Sequence, residues 1–238
     1  LRWEEKGPIP YTWRYGANAI NSNASSYAVV DQLIEALITL PDLKRIVVAG
    51  HSAGGQYVQR WAMLSQQSAL EVVPIRIVVA NPKSFCYLDD RRMLNGTLCK
   101  PHADDIHTCP SYNEWQWGLD NSSHHVHGPL ISPYKDEAVE AAGGVDRIVE
   151  LYPTRSIVYL SGELDVLANG DCEARLQGRF RHERSGFFYD AIQELYGYPV
   201  HKRLVVKDVH HDHCLMFQSP EGRQALFGPW DRVVVETQ

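Results

Sequence analysis

Arg45-Ile46-Val47-Val48-Ala49-Gly50-His51-Ser52-Ala53-Gly54-Gly55-Gln56-Tyr57-Val58-Gln59-Arg60-Trp61-Ala62 decides how this chain is read. An apolar run of strand length leads into a turn, and the turn opens onto an amphipathic helical pattern. Between them, Gly50-His51-Ser52-Ala53-Gly54 has the spacing G-x-S-x-G of a serine held on a sharp strand-to-helix turn. Small residues at 50, 54 and 55 are expected to let the two backbones pass closely. Ser52 is then lifted clear of the sheet as a candidate nucleophile. The amide of Ala53, at the helix N-terminus, is the candidate donor to an oxyanion. The competing reading is a glycine-rich turn whose serine only caps the helix.

A serine hydroxyl is a poor nucleophile without a base, and the base needs an acid to orient it. Two later apolar runs end in loops that carry such groups. Ser156-Ile157-Val158-Tyr159-Leu160 is followed by Ser161-Gly162-Glu163-Leu164-Asp165, which makes Asp165 the expected acid and Glu163 its rival. Arg203-Leu204-Val205-Val206 is followed by Lys207-Asp208-Val209-His210-His211-Asp212-His213, where any of three histidines is a candidate base. An acidic residue after a strand is otherwise a turn or cap, and a loop histidine is otherwise a solvated one.

The order serine, acid, histidine, with each group after a strand, resembles the α/β-hydrolase superfamily over about residues 26–228. Within it, several runs look like those of a group of extracellular, largely fungal and bacterial serine hydrolases with few assigned substrates. These are Trp13-Arg14-Tyr15-Gly16, Gln56-Tyr57-Val58-Gln59-Arg60 after the elbow, Cys172-Glu173-Ala174 leading to Gln177-Gly178, and His211-Asp212-His213 leading to Met216-Phe217. In that group the histidine followed by aspartate is the base, so the resemblance implies His211. It implies an α/β fold with a mainly parallel sheet and helices on both faces. The expected reaction of such a triad is hydrolysis of a carboxylic ester through an acyl-enzyme on Ser52, which needs no metal and no organic cofactor. A peptidase or amidase using the same triad, and a catalytically silent binding protein on the same fold, are the alternatives.

The remaining pattern fits one domain over 1–238. Ser25-Ser26 offers an N-cap for a helix to about Leu40, with Val30, Leu33, Ile34, Leu37 and Ile38 on one face. Ile75–Ala80 is a second continuous apolar strand of the kind buried on both faces of a parallel sheet. From about 81 to 152 the periodicity fails, and aromatic residues (Tyr87, Tyr112, Trp115, Trp117, Tyr134) mix with histidines and turn residues. That stretch is expected to be a lid or cap insertion, its aromatics lining a pocket or forming its own small core. Helices are expected at about 171–177, 180–196 and 219–227, and an edge strand at 232–236. Gly143-Gly144 reads as a helix junction, since no P-loop lysine follows.

Composition narrows the partners. The chain has 238 residues, 44% apolar and 22% charged, and a net charge of −6, which argues against nucleic acid or an anionic membrane surface. No apolar run approaches the ~20 residues that span a bilayer. His102, His107, His124, His125 and His127 with Asp104 and Asp105 match no standard metal spacing. Cys99 and Cys109 flank a loop rich in Pro, His and Asp that suits a disulfide, and the odd count of five cysteines leaves at least one unpaired. Sequons at Asn23, Asn95 and Asn121 lie in polar stretches, and with the cysteines they favour secretion. One departure from the superfamily stands out, because residues 1–25 contain no convincing strand ahead of the elbow strand. Either a companion N-terminal segment carries the early strands and the second oxyanion donor, or the sheet is reduced.

Overall fold

A computed structural model of the chain describes residues 1–4, 12–65, 73–120, 132–168 and 170–229. The described strands are β1 (Ile46–His51), β2 (Ile75–Ala80), β3 (Arg92–Leu94), β4 (Thr97–Cys99), β5 (Ser156–Gly162) and β6 (Lys202–Val206). The described helices are α1 (Ser26–Leu37), α2 (Ala53–Leu64), α3 (Ala103–Thr108), α4 (Pro133–Ala142), α5 (Val145–Leu151), α6 (Cys172–Arg175), α7 (Arg181–Tyr196), α8 (His213–Gln218) and α9 (Pro220–Phe227).

β1, β2, β5 and β6 lie side by side in that order, all parallel, so their carboxyl ends share one edge of the sheet. On one face, Trp61 of α2 and Phe188 of α7 cover Ile77, Val79, Ile157 and Tyr159. On the other, Met216 of α8 and Ala225 of α9 cover Val78, Ala80, Val158, Leu160 and Val206. Side chains alternate across a strand, which is why neighbouring residues of β2 and β5 enter different cores. Every residue of β2 is buried, Arg76 included, whose guanidinium donates to the carbonyls of Ala225 and Gly228. β1 differs: it is an edge of the described sheet, with Val47 and Val48 half-buried and Ala49 exposed.

α1 departs from its apolar pattern. Ser25 caps it as expected, its hydroxyl accepting from the Tyr27 amide, but the helix ends at Leu37 and leaves Leu33 57% and Leu37 39% exposed. It turns Tyr27, Asp31 and Ile34 inward instead. Asp31 is held there by three donors: Trp61 Nε1 at 2.8 Å, Ser65 Oγ at 3.0 Å and the Tyr134 hydroxyl at 2.5 Å. A buried carboxylate needs such partners, and they rotate the helix away from its leucine stripe.

The segment between β2 and β5 is built largely into the body of the fold. Tyr87, Tyr112, Trp115 and Trp117 are all buried, and Tyr87 and Trp115 join the main core. Gln59 brackets Cys86, accepting from its amide at 3.0 Å and donating to its carbonyl at 3.1 Å. Gln177 brackets Phe85 in the same way, both contacts at 2.8 Å. The buried Arg60 donates to the carbonyls of Gln116 and Gln56 and to Ser84 Oγ. Asn95-Gly96 turns the β3–β4 hairpin with φ of 50° and 80°, the left-handed pair of a type I′ turn. Gly143 and Gly144 join α4 to α5.

The disulfide is Cys109–Cys172, so the expected pairing of Cys109 with Cys99 is corrected. Cys99 closes the antiparallel ladder opposite Arg92, whereas Cys109 ends α3 as a buried residue facing α6. There Ser111 donates to Glu173 at 2.6 Å beside the bond. Cys86, Cys99 and Cys214 are free. The expected strand at 232–236, the sequon at Asn121 and the histidines 124, 125 and 127 lie outside the described residues.

Candidate active site

The turn after β1 carries Ser52 at φ 58° and ψ −113°, on the positive-φ side that residues with a Cβ rarely occupy. The turn is closed by the Ser52 amide donating to the Ala80 carbonyl at 2.9 Å and by the Gln56 amide donating to the Ser52 carbonyl at 3.0 Å. Two of the three expected small positions are enforced by backbone contact. A Cβ on Gly50 would lie 2.2 Å from the Gly54 carbonyl oxygen, and one on Gly55 would lie 2.6 Å from that of Ala80. Gly54 has open space beyond it, so the close-packing argument does not extend to that position.

Asp165 and His211 arrive on the loops after β5 and β6. These loops are tied together: the Glu163 amide donates to the Val206 carbonyl at 2.9 Å, and the Leu164 amide to the Val209 carbonyl at 3.0 Å. The result brings Ser52, His211 and Asp165 into one line. His211 Nε2 is 2.9 Å from Ser52 Oγ, and His211 Nδ1 is 2.7 Å from Asp165 Oδ2. The carboxylate side chain is fully buried and the imidazole is 21% exposed. A carboxylate can only accept, so Nδ1 carries the proton and Nε2 presents its lone pair to the serine hydroxyl. This arrangement can take a proton from Ser52 and hold the resulting imidazolium against a fixed negative charge.

The rivals are placed elsewhere. Glu163 is exposed and accepts from the Asp208 amide at 3.2 Å. His210 is exposed with Nδ1 3.0 Å from the Leu164 carbonyl, and His213 opens α8 as an exposed residue. Ala53 is the first residue of α2, so its amide has no acceptor within the helix.

Two neighbours of this line were absent from the sequence reading. His51 packs its ring 4.5 Å from that of His211, and burial together with the adjacent His211 and His213 pushes its pKa down to about 4. Its place beside Ser52 in the motif was a usable signal. Arg181 begins α7 and directs its guanidinium at Ser52 and His211. Nothing in its spacing announced that, because it reaches the site through the fold of the loop after β5. The His182 amide donates to the Asp165 carbonyl at 3.1 Å and fixes the start of α7 there.

Among the described residues, two groups of side chains are near enough to share a metal ion, Cys109–Cys172–Glu173 and Asp212–His213–Cys214. The first is spent on the disulfide, and neither includes His102 or His107. His102 instead caps α3, its Nδ1 accepting from the Asp104 amide at 3.3 Å. No described helix is long and apolar enough to cross a membrane.

No family model matches the chain, and no curated protein matches it either. Among solved structures it is similar to LpqC, a poly(3-hydroxybutyrate) depolymerase from Bordetella parapertussis, with a TM-score of 0.53 and 18% identity. That match covers 86% of this chain and 63% of the other, so the chain spans less than two thirds of that structure's length. The carboxylesterase CesB from Bacillus subtilis is matched at a TM-score of 0.33 and 12% identity, over 83% of this chain and 64% of that one. With the parallel sheet and its helices on both faces, the likeness establishes the α/β-hydrolase fold.

Proposed function

We propose that the protein is a serine hydrolase that cleaves a carboxylic ester by acyl transfer through Ser52. The observation that carries this reading is the line from Ser52 Oγ through His211 to the buried Asp165, with contacts of 2.9 Å and 2.7 Å. Ser52 Oγ attacks the ester carbonyl carbon while its proton passes to His211 Nε2. The tetrahedral oxyanion draws on the Ala53 amide, and collapse expels the alcohol, which leaves with the proton from His211. Water then attacks the acyl-enzyme with His211 again as base, releasing the acid and restoring the serine. Asp165 holds the imidazole in the tautomer this needs.

An ester is preferred over an amide on chemical grounds. An ester carbonyl is less stabilised by resonance than an amide's, so an ester makes the smaller demand on a site whose one assigned oxyanion donor is Ala53. The neighbour LpqC is described as acting on a polyester, which is the same bond class in polymeric form. A companion N-terminal segment is part of this reading. The outer edge of β1, unpaired among the described residues, is where further strands and a second donor would join. Secretion is supported by the Cys109–Cys172 bond and by the exposure of Asn23 and Asn95.

The test is hydrolysis of p-nitrophenyl acetate by the protein and by Ser52→Ala. Turnover lost in a variant that keeps its thermal transition is the expected result. Retained turnover refutes the assignment.

A further inference from the structure

Arg181 lies against both the candidate nucleophile and the candidate base. Its Nη1 donates toward Ser52 Oγ at 3.4 Å, lies 2.8 Å from His211 Nδ1, and is in contact with His211 Nε2. The Nδ1 proton is committed to Asp165 and the Nε2 lone pair meets Ser52, so a guanidinium nitrogen within reach of both ring nitrogens lies against the imidazole and finds nothing there that satisfies its charge. Arg181 forms no ion pair with a carboxylate among the described residues, and its Nε is buried without a partner. The groups around it do not compensate: His51 is held neutral by burial, Arg184 carries a like charge, and Asp165, the carboxylate that acts on it, is taken by His211. A half-buried guanidinium with spare donors is an unfilled site for an anion, and its planar fork suits a carboxylate.

We propose that Arg181 makes the cleft selective for acyl donors that carry a carboxylate a few atoms from the scissile carbonyl, such as half-esters of short dicarboxylic acids. This rests on the ester-hydrolase reading above. The substrate carboxylate pairs with the guanidinium, which anchors the acyl chain beside Ser52 and His211. A neutral ester of the same length leaves the guanidinium where it is and gains no anchor. Arg181 is in this account a specificity residue, and the covalent steps remain those of Ser52 and His211.

The experiment compares the p-nitrophenyl half-ester of glutaric acid with p-nitrophenyl pentanoate, both corrected for spontaneous hydrolysis, on wild type, Arg181→Gln and Arg181→Lys. Wild type is expected to favour the anionic ester in kcat/KM by about 10- to 100-fold, the span of a charge-assisted hydrogen bond. Arg181→Gln is expected to lower the anionic rate far more than the neutral one, and Arg181→Lys to keep part of the preference. A wild type with no preference, or a preference that survives in Arg181→Gln, overturns the proposal. Calorimetric binding of glutarate to Ser52→Ala, and to the same protein also carrying Arg181→Gln, reads the anion site without turnover. Binding lost with Arg181 alongside a wild type that cleaves neither ester would condemn the ester reading alone. Binding that is absent or indifferent to Arg181 condemns the anion site.

Discussion

Gly162 and Val209 meet backbone to backbone: a Cβ on Gly162 would lie 2.4 Å from the Val209 carbonyl oxygen. Gly162 ends β5, three residues before Asp165, and Val209 lies two residues before His211. The contact therefore sets the spacing of the acid and base loops. Gly162→Ala is expected to push the loops apart and lower kcat by at least about 10-fold, since a misplacement of ~1 Å costs as much or more. KM for a small ester should move less. A variant with wild-type kcat would show that the loops are placed by their hydrogen bonds alone.

Ser52 is held in an uncommon backbone conformation that costs on the order of 1–3 kcal/mol. Ser52→Ala keeps the Cβ and the strain, whereas Ser52→Gly releases it. After allowance for the extra freedom of glycine in the unfolded chain, Ser52→Gly should be the more stable by about 1–2 kcal/mol, or roughly 2–8 °C in Tm. Equal transitions by calorimetry would count against strain at the elbow.

The disulfide closes a loop with a sequence separation of 63. The chain-entropy relation gives about 4 kcal/mol for such a loop. Replacing Cys109 and Cys172 together by serine should therefore lower Tm by roughly 8–16 °C, whereas Cys99→Ser, at a free thiol, should leave it nearly unmoved. Non-reducing peptide mapping checks the pairing directly.

His201 is pushed down from 6.5 to about 4 by burial, its Nε2 donating to the Tyr152 carbonyl and its Nδ1 accepting from the Tyr159 hydroxyl. A histidine with a depressed folded pKa is neutral in the fold and charges more readily when unfolded. Its contribution is therefore complete above pH 6.5 and lost as pH falls from there toward about 4. The urea midpoint should fall between pH 7 and 5, and the fall should be smaller in His201→Gln. An identical pH dependence in the two proteins would contradict this.

The parts of the site that were legible in the sequence are those that follow chain order. Ser52, Asp165 and His211 each come shortly after an apolar run of strand length, and a parallel sheet gathers such ends on one edge. Asp165 is the carboxylate that meets His211, while Glu163, two residues earlier in the same loop, stays on the surface. What was not legible depends on distant partners. The face α1 turns inward is decided by Asp31 and its contacts with Trp61, Ser65 and Tyr134, up to 103 residues away. Cysteine spacing suggested Cys99 for Cys109, but pairing is set by which loops the fold brings together. Arg181 enters the site only because the start of α7 is tied to the Asp165 backbone. The β3–β4 hairpin is a different case: Asn95-Gly96 between Leu94 and Thr97 is a two-residue turn signal as well as the start of a sequon, so this element is legible locally.

The central claim is that His211 activates Ser52. Labelling with a fluorophosphonate followed by peptide mapping, on wild type and His211→Ala, tests it most directly. The account predicts an adduct on Ser52 in the wild type and none in the variant at the same exposure. A folded wild type that takes no adduct, or a variant labelled at the wild-type rate, would contradict it.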